Sequence, residues 1–364
     1  MRRAAVRALS TLAIPALALG AAPRCEADKP LAIPLQATYA PPPSALSPAE
    51  FRPLRVSRTE QLTHNTRRLT LEFPREGDDA GLVPASCVAV RLDVDGKPAV
   101  RAYTPVSRAR TRGSMDLIVK AYPTGVGKCV KGGAPRGRGG RARAPAALNT
   151  HLTHPPRLHP RRGLCGLQVG DTVDVKGPFQ KLPYTANQWA SVGMVAGGTG
   201  VTPMYQLILE ILSNPRDVTE VRLVYASRTE EDILLRHELD ALAAVYPNFK
   251  VRAGAGHSRP RRTRRAHLSR ARLAHTHSTT LTQVTHVLSQ PSDSWAGPKG
   301  HVDRTLLAAA LPPPQEGAAT KVFVCGPPGF MKTLSGEKKS ASDQGELAGL
   351  LKDMRYTPEQ VFKF

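Results

Sequence analysis

From about residue 187 to the C-terminus, strand-like segments alternate with helix-like segments, and this alternation constrains the fold more than any other feature. The apolar run ASVGMVAGG (190–198) predicts a buried strand, and TPMYQLILEILSN (202–214) carries apolar residues at helical spacing. VRLVYAS and KVFVCGPP predict further strands. Because strands that alternate with helices form parallel sheets, residues 187–364 are predicted to form a doubly wound α/β domain.

Capping residues predict where two helices of this half begin. Thr202 is predicted to be the N-cap of the first helix, with Pro203 in its first turn. Thr229 and Asp232 have the spacing of a weak capping box. They predict that a second helix begins at residue 229.

Residues 48–186 have a different pattern, in which short β segments are separated by Gly, Pro and Asp. RRLTLEFP, MDLIVKAYP and DTVDVKGP are examples, and Asp95-Gly96 is a hairpin signal. This pattern predicts an all-β barrel or sandwich.

The net charge of +22 comes mainly from two segments and not from the whole chain. Residues 129–165 and 252–283 each carry eight Lys or Arg residues and no acid. A strongly basic protein suggests a nucleic-acid partner, but removing the two segments leaves a charge of only about +6. Both segments are therefore predicted to be disordered insertions, and no nucleic-acid partner is expected.

The cysteine and histidine patterns do not predict a metal site. None of the five cysteines forms a C-x-x-C pair, which argues against a disulfide scaffold, a zinc ribbon and an iron–sulfur module. His151-x-x-His154 and His275-x-His277 have no partnering Cys or acid nearby in the sequence.

The N-terminal segment, residues 1–45, is predicted to be a targeting sequence and linker. It carries Arg2, Arg3 and Arg7, and no acid precedes Glu26, which is typical of a mitochondrial presequence. The uncharged residues 8–23 are marginally short for a membrane span. We expect a location in the mitochondrial outer membrane or intermembrane space; a secretory signal is the alternative. Whether residues 8–23 anchor the protein or are cleaved stays open.

Three motifs carry the chemistry. In GMVAGGTGVTPM (193–204) glycines lie between a strand and a helix, where backbone N–H groups and the positive end of the helix favour a diphosphate. RAYTPVS (101–107) offers a cation, an aromatic ring and a hydroxyl. VCGPPGFM (324–331) places a thiol at the end of a strand, where open α/β sheets bind ligands.

In this order the motifs resemble those of the ferredoxin-reductase-like flavoproteins, and specifically of the NADH–cytochrome b5 reductases. The resemblance covers about residues 48–126, 167–251 and 284–364, and EDILLRHELDAL and the terminal VFKF are similar to the fungal mitochondrial type. It implies an all-β FAD-binding barrel over 48–186, followed by a doubly wound α/β NAD-binding domain over 187–364.

The resemblance also implies roles for residues at matching positions. Arg101 would meet the FAD diphosphate, Tyr103 would flank the flavin ring, and Thr104 would hydrogen-bond near its reactive nitrogen. Thr104 and Cys325 are the expected catalytic residues. The expected cofactor-binding residues are Arg101, Tyr103, Thr104, Ser107, Val119, Lys120, Tyr122, Gly198, Thr199, Gly200, Thr202, Cys325, Gly326 and Pro327.

The implied activity is transfer of a hydride from NADH to FAD and of single electrons from FAD to cytochrome b5 or a similar haem protein. Two alternatives are a reductase-derived chain with a defective flavin site and RNA binding through genuine Arg/Gly-rich insertions. The physiological acceptor stays open. So does the preference for NADH over NADPH, since Arg228 could meet a 2′-phosphate.

Both insertions interrupt the family pattern. The first stands where a flavin-binding loop would continue from Gly127-Lys128, and the second separates residues 249–251 from 285–288, which relatives join in one strand. The codons at the start of each segment can contain a splice donor. We therefore hypothesise that both segments are translated introns, so that their presence in the mature protein stays open. The chain as written is predicted to bind FAD poorly.

Overall fold

The computed structural model describes residues 44–94, 97–121, 163–246, 249–252 and 282–364. Residues 1–43 of the predicted targeting segment and linker, most of both predicted insertions and Tyr122 lie outside the described residues. Ala45, which was predicted to be linker, is buried in a core of the described chain. We call the described chain up to residue 186 the antiparallel lobe and the remainder the parallel lobe.

The antiparallel lobe contains one six-stranded sheet. Its strands are β1 (Arg52–Thr63), β2 (Thr66–Glu72), β3 (Ser86–Val94), β4 (Lys97–Tyr103), β5 (Ser114–Lys120) and β6 (Thr172–Gln180). They pair antiparallel in the order β4-β3-β6-β1-β2-β5. Val94 of β3 pairs with Lys97 of β4. The predicted hairpin turn, Asp95-Gly96, lies outside the described residues. Every second residue enters one core, as Met115, Leu117 and Val119 do on β5.

The segment after β4 brings the two end strands of this order together. The Val106 N–H donates to the carbonyl of Asp116 on β5 at 2.9 Å. The Asp116 N–H donates in turn to the Ser107 hydroxyl oxygen at 3.3 Å. The sheet therefore curls as a barrel does, with the R-x-Y-T-P-x-S motif beside the strand that carries Lys120. The predicted all-β class of this half is confirmed.

A short 3-10 helix, Leu164–Gly166, returns the chain to the antiparallel lobe. Leu164 is buried in the core of the lobe. Arg67 donates to the carbonyls of Cys165 and Leu167 at 2.9 and 3.1 Å. These residues pack like the rest of the lobe, so the predicted insertion ends earlier than residue 165.

The parallel lobe also contains one six-stranded sheet, with helices on both faces. The strands are β7 (Ser191–Gly197), β8 (Glu220–Ser227), β9 (Phe249–Arg252), β10 (Thr282–Leu288), β11 (Thr320–Cys325) and β12 (Val361–Lys363), in the order β12-β11-β7-β8-β10-β9. The helices are α1 (Val201–Ser213), α2 (Arg236–Val245), α3 (Arg304–Ala310), α4 (Pro328–Ser335) and α5 (Gly349–Asp353), with 3-10 turns at Gly198–Gly200 and Pro314–Ala319.

Alternate residues of this sheet enter different cores. Met194 of β7 packs with α1 and α2, whereas its neighbour Val195 packs with α3, α4 and α5. All seven residues of β7 are buried, as expected for the central strand of a sheet covered on both faces. The predicted doubly wound class is confirmed.

The second predicted helix begins at Arg236, and not at residue 229. Residues 229–235 form bends and turns, in which the Asp232 N–H donates to the Thr229 carbonyl at 3.3 Å. Leu235, the N-cap, has a φ of 58°, which a right-handed helix does not adopt. The Thr229–Asp232 pair therefore closes a turn and does not cap the helix.

The residues on the two sides of the second insertion form two strands, where the family resemblance implied one strand in relatives. β9 and β10 lie side by side and parallel, with Phe249 opposite Thr282 and Arg252 opposite Thr285. β10 also pairs with β8. Parallel neighbours need a crossover of about a dozen residues or more, and residues 253–281 are long enough for one. Arg252, Thr282 and Gln283, which were predicted to belong to the insertion, are therefore strand residues, and β9 is an edge strand of the sheet.

Candidate active site

The glycine-rich turn and the C-G-P-P segment meet at the carboxyl ends of two adjacent strands, β7 and β11. A Cβ atom at Gly200 would overlap the carbonyl group of Cys325, so only glycine permits this approach. A Cβ atom at Gly198, where φ is +54°, would meet no other atom within 4 Å. The turn thus has β11 on one side and open space on the other, which fits the close approach of a diphosphate to its backbone.

Thr202 lies inside α1 and is not its N-cap. Gly200 takes the N-cap position without a side-chain cap, and the N–H of Val201 reaches the carbonyls of Gly198 and Thr199. The Thr202 hydroxyl donates to the Thr199 carbonyl at 3.1 Å. The chain enters α1 directly from a 3-10 turn, and backbone carbonyls replace the predicted side-chain cap. Thr202 is only 7% exposed.

Cys325 ends β11 and is partly buried. Burial raises the pKa of this thiol to about 12, and the nearby Lys338 ammonium offsets only part of that effect. The thiol is therefore neutral at physiological pH, so Cys325 contributes shape and polarity rather than a thiolate nucleophile. Gly326 packs against the ring of Phe330, and Pro327 is the exposed N-cap of α4.

The R-x-Y-T-P-x-S segment begins within β4, at Arg101, and continues beyond the end of that strand towards the junction of the lobes. Arg101 and Thr104 are half-buried, and the Arg101 guanidinium donates to the Val100 carbonyl at 2.7 Å. Tyr103 packs against the core of the antiparallel lobe. Ser107 accepts the hydrogen bond from Asp116 that joins the motif to β5.

On β5 the structure separates two predicted cofactor residues. Lys120 is half-buried at the end of the strand, whereas the Val119 side chain lies in the core of the antiparallel lobe and is 1% exposed. Val119 can therefore reach a cofactor only through its backbone. Ile118 points to the opposite face and packs with the parallel lobe. The two-residue period of a strand places Ile118 and Lys120 on one face, and this signal was available in the sequence.

Gln206 of α1 is a junction residue that the motifs do not reveal. Its side chain is 5% exposed and bonds backbone groups of the antiparallel lobe. One of these groups belongs to Pro105, which directly follows Thr104. One side chain therefore links the R-x-Y-T-P-x-S segment to the helix that follows the glycine-rich turn.

A cavity of about 490 Å³ lies elsewhere on the junction of the lobes. Apolar side chains of α1 and α2 line it together with charged side chains of both lobes, and Arg68 of β2 forms an ion pair there with Glu238 of α2. Of the predicted cofactor residues that the structure describes, Ser107 alone lines it. The cavity is therefore distinct from the site at the ends of β7 and β11.

Two further features were sought in the described ranges. There, no group of three or more His, Cys, Asp or Glu side chains is placed to hold a metal ion. Within the same ranges, none of the helices combines the length and apolar character needed to span a bilayer.

Comparisons with known proteins identify the two domain families of this chain. Residues 53–141 match the family model of the oxidoreductase FAD-binding domain. Residues 194–270 and 256–335 match that of the oxidoreductase NAD-binding domain. The cytochrome b5 reductase domain of Ulva prolifera nitrate reductase superimposes with a TM-score of 0.60 at 26% identity, covering 88% of this chain and all of that domain. The fold and site thus define an FAD- and NAD-binding oxidoreductase.

Curated relatives identify the family within this class of oxidoreductases. NADH-cytochrome b5 reductase 2 of Aspergillus niger is 37% identical over 85% of this chain and 76% of its own length. The protein of the same name from Botryotinia fuckeliana is 37% identical over 86% and 72%. The chain belongs to the NADH–cytochrome b5 reductase family.

Proposed function

We propose that this chain oxidises NADH through bound FAD and delivers the electrons one at a time to cytochrome b5. The observation that carries the proposal is the close approach of Gly200 to the Cys325 carbonyl. It brings the glycine-rich turn and the C-G-P-P segment together at one end of the sheet. The names of the relatives support NADH as donor and cytochrome b5 as acceptor.

The residues present fit both cofactors. Gly198 leaves open space above its backbone for the NADH diphosphate, and the protonated thiol of Cys325, a partly exposed residue, would give the nicotinamide a neutral neighbour. Arg101 would hold the FAD diphosphate, while Tyr103 and Thr104 would orient the flavin ring. When bound, FAD accepts a hydride and releases single electrons, and the protein supplies position and electrostatics.

The test uses the full chain purified in the presence of FAD. NADH, cytochrome b5 and excess FAD are added, since the chain as written is predicted to bind FAD poorly, and haem reduction is followed by absorbance. Reduction that requires the chain, NADH and FAD is expected. Ferricyanide, a small acceptor, isolates the first half of the reaction. Reduction of neither acceptor would refute the proposal, and reduction of ferricyanide alone would refute cytochrome b5 as the partner. NADPH in place of NADH tests Arg228, which bonds to Gln290 at 3.2 Å.

We also propose a mitochondrial location, in the outer membrane or intermembrane space, with association to the membrane through the N-terminus. The basic, acid-free start of the chain supports this. A fusion of residues 1–45 to a fluorescent protein should cofractionate with mitochondria. Secretion of the fusion would contradict it.

A further inference from the structure

Gln206 makes two hydrogen bonds between the lobes. Its Oε1 accepts from the Ser86 N–H at 2.9 Å, and its Nε2 donates to the Pro105 carbonyl at 3.5 Å. Ser86 opens β3 and Pro105 lies in the R-x-Y-T-P-x-S segment, so both backbone groups belong to the antiparallel lobe. Gln206 itself is on α1 of the parallel lobe.

All three groups are buried. Ser86 is 1% exposed, and Pro105 is buried as well. A buried backbone N–H or carbonyl without a partner is strongly unfavourable. The amide of Gln206 therefore satisfies groups that would otherwise hold the lobes apart or draw in water.

The position of Gln206 along α1 links it to the dinucleotide turn. Gln206 lies six residues after Gly200, which is about 9 Å along a helix. Because a helix is stiff over this length, the Gly198–Gly200 turn moves with Gln206. At the other end of the link, Pro105 directly follows Thr104.

We infer that Gln206 is a positioning residue, which sets the orientation of the predicted flavin-binding segment at Thr104 relative to the predicted NADH-binding turn at Gly198–Gly200. The inference rests on the proposed function. Only a side chain with both an acceptor and a donor can make this link: a glutamate carboxylate lacks the donor, and methionine offers neither group in comparable strength. Gln206 touches backbone rather than a reacting atom, so its effect on hydride transfer passes through geometry.

The experiment compares Gln206→Met with wild type and with Ile211→Ala. Ile211 is buried on the same helix and its aliphatic side chain makes no hydrogen bond, so its truncation destabilises α1 without removing the link. In FAD-loaded protein, we expect Gln206→Met to slow hydride transfer from NADH between about tenfold and about a hundredfold, because small misplacements of reactants have effects of this size. The change should appear in kcat, with little change in the KM for NADH. Ile211→Ala should transfer hydride at nearly the wild-type rate.

A second readout needs no cofactor. Amide hydrogen exchange at Ser86 in the flavin-free protein should be faster in Gln206→Met than in Ile211→Ala, because only the first loses the acceptor of that N–H. If Gln206→Met does not fold, Gln206→Glu replaces it: Ser86 keeps its acceptor and its protection, while hydride transfer still slows because the donor to Pro105 is lost.

The outcomes separate this inference from the proposed function. If wild type binds FAD and accepts hydride, but Gln206→Met matches Ile211→Ala in rate, Gln206 is not a positioning residue. If wild type accepts no hydride, the proposed function fails. Amide hydrogen exchange at Ser86 is then the remaining test of the hydrogen bonds made by Gln206. If the Ser86 N–H is as well protected in Gln206→Met as in wild type, Gln206 does not link the lobes.

Discussion

Gly200 lies against the carbonyl group of Cys325 so closely that a methyl group on residue 200 would overlap it. This contact holds the turn after β7 against the end of β11. The carboxyl ends of these two strands mark the point where the strand order of the sheet reverses direction, which is where open α/β sheets bind their ligands.

Gly200→Ala should therefore displace the turn. We expect the free energy of unfolding to fall by about 1–3 kcal/mol, as in other overpacked sites, and the KM for NADH to rise. Urea unfolding and steady-state kinetics measure the two effects. The control is Gly329→Ala, since a Cβ atom on Gly329 in α4 meets no other atom within 4 Å. Equal behaviour of the two variants would contradict the role of the close contact.

The Cys325 thiol should resist alkylation in the folded protein. Its pKa is raised by burial to about 12 from an ordinary value of 9.0, so the reactive thiolate is scarce throughout the neutral range. At pH 8, mass spectrometry should find Cys325 unmodified by iodoacetamide in buffer and modified in urea. Since the raised pKa favours the protonated thiol, reactivity in the folded state should increase only as the pH approaches 12. Rapid labelling at pH 8 would show that the thiol is not enclosed.

Ile118→Ala and Val119→Ala should separate cofactor binding from stability. Val119 is in the core of the antiparallel lobe, so its truncation should lower the free energy of unfolding by about 2 kcal/mol and leave FAD affinity nearly unchanged. Ile118 shares a strand face with Lys120, and its truncation should weaken FAD binding. Fluorescence titration of FAD against both variants gives the comparison. A weaker affinity in Val119→Ala alone would restore Val119 as the cofactor residue.

The ion pair of Arg68 and Glu238 should contribute to stability. Both side chains are roughly three-quarters buried, at 21% and 28% exposure, and they join the two lobes. Glu238→Gln leaves the Arg68 charge in the cavity, so we expect a loss of about 1–2 kcal/mol, between the values for exposed and fully buried pairs. Glu346→Gln breaks the exposed pair with Lys352 and should have no measurable effect. Thermal unfolding of both variants at low and high salt provides the test.

Removal of both insertions should improve flavin binding. The structure sets better bounds for the deletions than the sequence does: residues 129–162 and 253–281, which keep Leu164 and all of β10. The shortened chain should carry more FAD per molecule than the full chain, with β10 still paired to β8. Equal flavin content would refute the prediction, and sequencing of the mature transcript would show directly whether the segments are present.

The sequence predicts the two fold classes because the signals for them are local. It also predicts that the glycine-rich turn and the C-G-P-P segment lie at the carboxyl ends of strands, for the same reason. Glycines between a strand and a helix, and the change of apolar period near residue 187, each lie within a few residues. The helix starts at Thr202 and Thr229 were wrong for a local reason as well, since a 3-10 turn and a left-handed residue replaced the predicted caps.

Long-range features could not be predicted in the same way. The partners of Gln206, Ser86 and Pro105, are 120 and 101 residues away in the chain, and no pattern near Gln206 indicates them. Likewise, nothing in the sequences of β9 and β10 indicates that they lie side by side. Only the structure shows that they pair as parallel neighbours. The residue-by-residue roles assigned to the cofactor site stay predictions until they are tested.

The extra strand β9 has a consequence for the behaviour of the protein at high concentration. It ends the strand order of the sheet, so its outer edge offers backbone N–H and carbonyl groups to another chain. The segment FKVR carries two positive charges, which disfavour the stacking of identical edges. Self-association through β9 should therefore increase with ionic strength, and light scattering of the full chain at low and high salt would measure it.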